Sequence, residues 1–333
     1  MYPLRTFPIG WTLAILGTLP LASPQRGGGG GGGGGGTPPA DATVAFRKDG
    51  RLCLARADGS GQTVIGSLTI DGTIAWAPGG GPLFFQAPSP NGIFRIQPDG
   101  TGQTKVVSLV AYHTGISVTR GAPCPDGEAR IFYTDGTSLA TDLWSARLDG
   151  TGRVRLSANP SGVRYTSPTV APSGDHVVVR DDIDLRLLTL GLVGGQLAVV
   201  DDRSLIADDP GHPMNPWVED WFFFNPWFED FGPANPAGTR LLFRAQHMVD
   251  SVPVSDGIYR MAVTAPALVE LLPLSQATVG GPVTTASGLQ VYYVSLDGSN
   301  RGTIYRCNAD GTGSVRWVDP GRRGDHKTPC TRP

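Results

Sequence analysis

The residues best suited to chemistry lie close together between Asp201 and Pro233. Eight carboxylates (Asp201, Asp202, Asp208, Asp209, Glu219, Asp220, Glu229 and Asp230) face a single Arg203 there, a local balance of −7 in a chain whose formal charge is only −2. Eight aromatic residues are interleaved with them, and the stretch Asn215 to Asp220 is echoed ten positions later by Asn225 to Asp230. Aromatic faces beside carboxylates can stack on sugar rings and accept their hydroxyl hydrogen bonds, or hold a cation over a ring. The candidate binding residues are therefore Trp217, Glu219, Asp220, Trp221, Trp227, Glu229 and Asp230. A competing, purely structural reading makes Phe222 to Phe224 a buried strand and packs the tryptophans over a neighbouring element. The carboxylate spacing matches no EF-hand loop, and no metal is expected.

Covalent chemistry finds no foothold. The chain has no Gly-x-Ser-x-Gly elbow, so the nucleophile of an α/β-hydrolase is missing. The run Gly27 to Gly36 is not followed by Gly-Lys-Ser/Thr and is no phosphate cradle. Four cysteines, Cys53, Cys124, Cys307 and Cys330, form no Cys-x-x-Cys pair and no cluster with histidine, which argues against a structural zinc site. They allow three disulfide pairings. No catalytic residue is assigned and no cofactor is expected.

The elements that would position such residues are short strands. Glycine at 47, proline at 29 and only 17% charged residues describe a turn-rich β protein. Three segments superimpose: LCLARADGSGQTVIG from Leu52, IFRIQPDGTGQTKVVS from Ile93 and LWSARLDGTGRVRLS from Leu143; a fourth, IYRCNADGTGSVRWV, begins at Ile304. Each is a strand, an Asp-Gly turn that tolerates positive φ, and a second strand. A bend precedes each unit, at Pro78, Pro125, Pro172, Pro236 and Ala286, with successive spacings of 47, 47, 64 and 50 residues. A period of roughly 40 to 50 residues holds four short strands, one blade of a propeller. The spacing of 64 places an enlarged connection within the acidic, aromatic segment. The tail Pro329 to Pro333 repeats the Pro-x-x-x-Pro spacing of Pro168 to Pro172, so it is expected to supply the innermost strand of the blade that begins at Ala42. Six blades of four antiparallel strands then close into an all-β ring, which removes exposed sheet edges.

The bend and the downstream turn make residues 42–333 resemble the TolB-like six-bladed β-propellers, whose repeats carry a Trp-Ser-Pro-Asp-Gly bend followed by Asp-Gly-Thr/Ser-Gly. Here Pro-Asp-Gly stands at Pro125-Asp126-Gly127, the bend tryptophan at Trp76, and the fourth and fifth repeats lack the Asp-Gly-Thr turn. A seven-bladed WD-type ring is the weaker alternative, since no Trp-Asp dipeptide occurs. The resemblance implies an axial channel with one mouth lined by the residue seven before each bend proline. That rule gives Asp71, Val118, Tyr165, Glu229, Val279 and His326, of which Asp71, Tyr165, Glu229 and His326 are polar candidates for the mouth.

Ahead of the repeats, Arg5 and the apolar stretch Ile9 to Leu21 read as a signal-peptide-like segment over residues 1–26. Residues 27–41 read as a Gly/Pro-rich flexible linker. The small net charge gives no footprint for nucleic acid, and the apolar stretch is too short for a bilayer span. The expectation is an exported, periplasmic or extracellular, monomeric propeller without enzymatic activity, which binds an envelope protein or a glycan. The alternative is a polysaccharide lyase or glycosidase that works in the channel.

Overall fold

Strands covered on both faces read as unbroken apolar runs. Leu83-Phe84-Phe85, Ile131-Phe132-Tyr133, Val177-Val178-Val179, Leu241-Leu242-Phe243 and Val291-Tyr292-Tyr293 are such runs, and all of these side chains are buried. What covers them is visible in the computed structural model, which describes residues 43–332 apart from 111–114, 138–139, 161–162, 182–183, 207–213, 215–219, 230–234, 236–237, 250–251, 274–277, 286, 297–301 and 319–328.

Among the described residues the strands form six four-stranded antiparallel sheets arranged as the blades of a propeller. Blade 1 contains β1 (Val44–Lys48), β2 (Arg51–Ala55) and β3 (Thr63–Ile65); blade 2 contains β4 (Ile74–Trp76), β5 (Leu83–Pro88), β6 (Asn91–Ile96) and β7 (Thr104–Ser108). Blade 3 contains β8 (Ile116–Val118), β9 (Arg130–Gly136), β10 (Thr141–Arg147) and β11 (Val154–Arg155). Blade 4 contains β12 (Tyr165–Val170), β13 (His176–Asp181), β14 (Asp184–Val193) and β15 (Gln196–Ser204). Blade 5 contains β16 (Asp220–Phe228), β17 (Arg240–Val249), β18 (Val252–Ala262) and β19 (Ala265–Pro273). Blade 6 contains β20 (Thr278–Thr284), β21 (Gln290–Leu296), β22 (Gly302–Asn308) and β23 (Val315–Val318). The last strand, β24 (Cys330–Thr331), returns to blade 1 and pairs with β1 through Val44 and Ala45.

Alternate residues of the second strands serve two different cores. Val177 and Val179 of β13 pack with Phe132 and Leu143 of blade 3. Val178 between them packs with Phe223, Leu241 and Phe243 of blade 5. Burying one such side chain contributes roughly 1.5 to 3 kcal/mol, so every blade depends on both neighbours.

The Asp-Gly turns join those neighbours at the periphery. Asp58, Asp99, Asp149 and Asp310 each accept the N–H of the residue two positions on, at 2.8 or 2.9 Å, and Thr101, Thr151 and Thr312 add hydroxyl bonds at 2.7 Å. Gly59 and Gly150 follow at φ of 86° and 87°. A Cβ on Gly59 would strike the Trp317 carbonyl of blade 6, and one on Gly150 the Val106 carbonyl of blade 2. Glycine is required there because the turn presses against the outer strand of the preceding blade.

Closure is stitched by side chains as well as by the β1–β24 ladder. Trp76 Nε1 of blade 2 donates to the Cys330 carbonyl at 3.3 Å, the Arg332 guanidinium lies 5.6 Å from the Trp76 ring centre, and Arg332 N–H donates to the Thr43 carbonyl at 2.7 Å. Thr331 Oγ1 donates to the Thr284 carbonyl of blade 6. The terminal strand therefore grips three blades. All four cysteines are buried; burial pushes the Cys124 thiol up to about 12 and the Cys307 thiol up to about 11. No helix among the described residues is long and apolar enough to cross a membrane.

Candidate functional site

The innermost strands face the axis with an edge that no other strand covers. A residue without an N–H is tolerated on such an edge, which accounts for Pro168, Pro226, Pro282 and Pro329 lining the central cavity from blades 4, 5, 6 and 1. Thr73 and Ile116 complete the ring from blades 2 and 3. The cavity measures about 40 Å³, against about 300 to 1,000 Å³ for the pockets that take small organic ligands.

Trp227 lines it as well. Trp227 is half-buried at the axis and packs against the cores on both faces of blade 1. Its Nε1 lies 3.4 Å from Thr284 Oγ1 of blade 6. Arg120, which follows β8 in blade 3, places its guanidinium 4.1 Å from the Trp227 ring centre and donates from Nη2 to the Phe228 carbonyl at 2.6 Å. Blade 4 stands between blades 3 and 5, so this contact joins two blades that are not neighbours. A cation over an indole, partly desolvated, is worth about 0.5 to 2 kcal/mol.

Glu229 is spent on the fold. It is 3% exposed; Oε2 pairs with Arg240 Nε and Oε1 with Arg260 Nη2, both at 2.8 Å. Its N–H donates to the Arg240 carbonyl and its own carbonyl accepts from Asn235 Nδ2 at 2.9 Å. Asn235 Oδ1 in turn accepts the N–H groups of Thr239 and Arg240. Carboxylate and amide together clamp the long connection between β16 and β17.

The other mouth candidates are placed separately. Asp71 lies ahead of β4, exposed, 3.4 Å from Arg47 Nη1. Tyr165 opens β12, is buried, and donates its hydroxyl to Asp202 Oδ2 at 3.0 Å; burial, reinforced by Asp202, pushes the phenol well above its ordinary value. Strand register explains why Glu229 does not join them. Trp76, Val170 and Thr284 pair with Leu83, Val177 and Val291, seven positions on, whereas Val118 and Phe228 pair with Ile131 and Leu241, thirteen positions on. Counting back from the bend prolines assumes one connection length for all blades, and it slips by five residues in blade 3 and six in blade 5. Asp71 and Tyr165 keep equivalent places at the entry to their inner strands, while Glu229 sits at the exit of its own. The register-equivalent of Asp71 in blade 5 is Phe223, which is buried.

The acidic, aromatic segment is likewise divided. Asp220 and Trp221 open β16 opposite Met248 and His247, and Phe222 to Phe224 continue that strand. Trp217, Glu219, Asp230 and His326 lie outside the described residues. Arg120 carried no sequence signal, since its partners are 107 and 108 positions away. The prolines did carry one, because prolines spaced like strand residues mark strands with an open edge.

No protein-family model matches the chain and no curated protein matches it by sequence. Solved structures do. The chain is similar to TolB from Acinetobacter baumannii (TM-score 0.64, 16% identity, covering 89% of this chain and 68% of that one). It is similar to a chain of the nidogen/laminin complex (0.56, 14%, covering 88% and 98%) and to a putative TolB from Agrobacterium tumefaciens (0.56, 14%, covering 86% and 92%). Six blades of four strands, closed by a C-terminal inner strand, give this chain the fold of a TolB-like six-bladed β-propeller.

Proposed function

We propose that this chain is an exported, non-enzymatic binding module of the cell envelope, a scaffold that engages a protein or glycan partner through its faces and loops. One observation carries the reading: the protein's own Trp227 lines the central cavity, whose 40 Å³ lie far below the about 300 to 1,000 Å³ of pockets that take small organic ligands. Glu229 is held by two arginines at the exit of its strand and Asp71 lies exposed ahead of its own, so these two carboxylates do not face each other as a catalytic pair. The apolar stretch Ile9 to Leu21 supports export. Likeness to a chain of the nidogen/laminin complex supports a protein partner, since that complex joins two proteins.

The partner surface is assigned to the connection ahead of β16, with Trp217 and Glu219 as its anchors; aromatic residues are enriched where interfaces concentrate their binding energy. Immobilised wild-type protein should retain a specific partner from an envelope extract, and the Trp217→Ala/Glu219→Ala double variant should lose it. Turnover of a polysaccharide by the purified chain, abolished by Asp71→Asn, would overturn the reading.

A further inference from the structure

The hairpin of β14 and β15 outgrows its own blade. His176, the first residue of β13, pairs with Thr189 of β14, and the Leu190 N–H still donates to the Asp175 carbonyl at 2.7 Å, so residues 191–193 run on with only β15 beside them. Gly194 and Gly195 turn the chain, and Leu192 and Val193 stay 49% and 61% exposed. The returning stretch Gly195-Gln196-Leu197 becomes one wall of a cleft of about 650 Å³ whose other walls belong to blade 3. This is within the range of small-ligand sites, about 300 to 1,000 Å³, and lies at the periphery, away from the axis.

Four arginines and two carboxylates line it; Arg153 and Arg155 are held from outside the lining by Asp135 at 3.8 Å and Asp142 at 2.6 Å, and the other four groups form two pairs within it. Arg130, 4% exposed, forms the floor: it holds Asp126 through Nε at 2.8 Å and through Nη2 at 2.5 Å, and Nη1 donates to the Gly152 carbonyl at 3.0 Å. Above it stands a looser pair, Arg147 Nη2 and Glu128 Oε1 at 3.3 Å, whose side chains are 47% and 42% exposed. An exposed single-contact pair contributes little to stability, about 0 to 1 kcal/mol, so opening it costs little. Val154 and Leu197 supply apolar surface beside it.

We infer that this cleft binds a dipolar ion of amino-acid or short-peptide size. The ligand carboxylate replaces Glu128 on Arg147, where a guanidinium offers a planar fork of donors, and the ligand ammonium replaces Arg147 on Glu128. The rigid Arg130–Asp126 pair underneath keeps the floor neutral, and Asp135 and Asp142 offset Arg153 and Arg155 at the side, so the cleft recognises paired charges rather than net charge. Leu197 and Val154 receive the side chain.

The test is calorimetric titration of the full chain with leucine, glutamine and glycyl-leucine, with acetate and ethylammonium as half-ligands. Saturable binding of at least one dipolar probe is expected, with weaker or no binding of either half. Arg147→Gln and Glu128→Gln should each weaken it by about tenfold or more, the worth of one charged hydrogen bond, and leave the melting temperature unchanged because both side chains are exposed. Absence of saturable binding by every dipolar probe, binding undiminished in both variants, or acetate binding as tightly as the amino acids would each overturn the inference. This outcome is independent of the partner assigned to Trp217 and Glu219.

Discussion

Trp227 and Glu229 are two positions apart, and both were candidates for a binding surface, yet one lines the central cavity and the other ties down a loop. Their chemistry is used on the protein itself. Truncating Trp227 to alanine leaves a void beside the cores of blades 1, 2 and 6 and strips Arg120 of its ring. Large-to-small changes of this kind cost about 3 to 5 kcal/mol, and half-burial places Trp227 at the lower end of that range. Urea unfolding of Trp227→Ala should therefore show a midpoint well below wild type; an unchanged midpoint would mean that the indole is not packed at the axis. Glu229→Gln would likewise act on stability, since removing one partner of a buried pair leaves the remaining charge uncompensated.

At the scale of elements, the Asp-Gly turns connect sequence, packing and pH. Hydrogen bonds from Thr101, Thr151 and Thr312, side chain and backbone, hold Asp99, Asp149 and Asp310 below the ordinary 3.8, and Ser60 does the same for Asp58. A carboxyl group whose pKa is lower folded than unfolded stabilises the fold fully above its unfolded value and loses that contribution as pH falls through the folded one. Stability should accordingly decline as the pH drops from about 4 toward the depressed values. Replacing all four aspartates by asparagine keeps a side-chain oxygen to accept the N–H but removes the titration. Thermal melts of that variant should be flatter over the acid range; a slope equal to wild type would show that other carboxylates govern it.

At the scale of the whole molecule, the ring is only as strong as its seam. β24 is two residues long, yet it pairs with β1, accepts from Trp76 and donates to Thr284. Removing residues 327–333 exposes the edge of β1 and frees Trp76, so the loss spreads around a structure in which every blade shares its core with two others. Calorimetry of the truncated chain should show the whole transition moved to lower temperature; a wild-type melting temperature would refute the seam. The same architecture explains the buried cysteines. Cys53 and Cys330 both belong to blade 1 but serve different cores, the one shared with blade 6 and the one shared with blade 2.

The repeat by itself determined the strand order, the Asp-Gly punctuation, the six blades and the returning tail, because each follows from local turn chemistry and from a spacing that survives without side-chain detail. Tertiary structure alone decided which carboxylates meet. A pairing offset of seven positions in some blades and thirteen in others moves Glu229 from the entry of its inner strand to the exit, and bend prolines counted along the chain do not register that change. Pairing register does, because it compares residues by the neighbours they hydrogen-bond. The contact of Arg120 with Trp227 and the cleft beside the long hairpin likewise arise from side chains contributed by different blades, whose meeting depends on the curvature of the ring rather than on any sequence spacing.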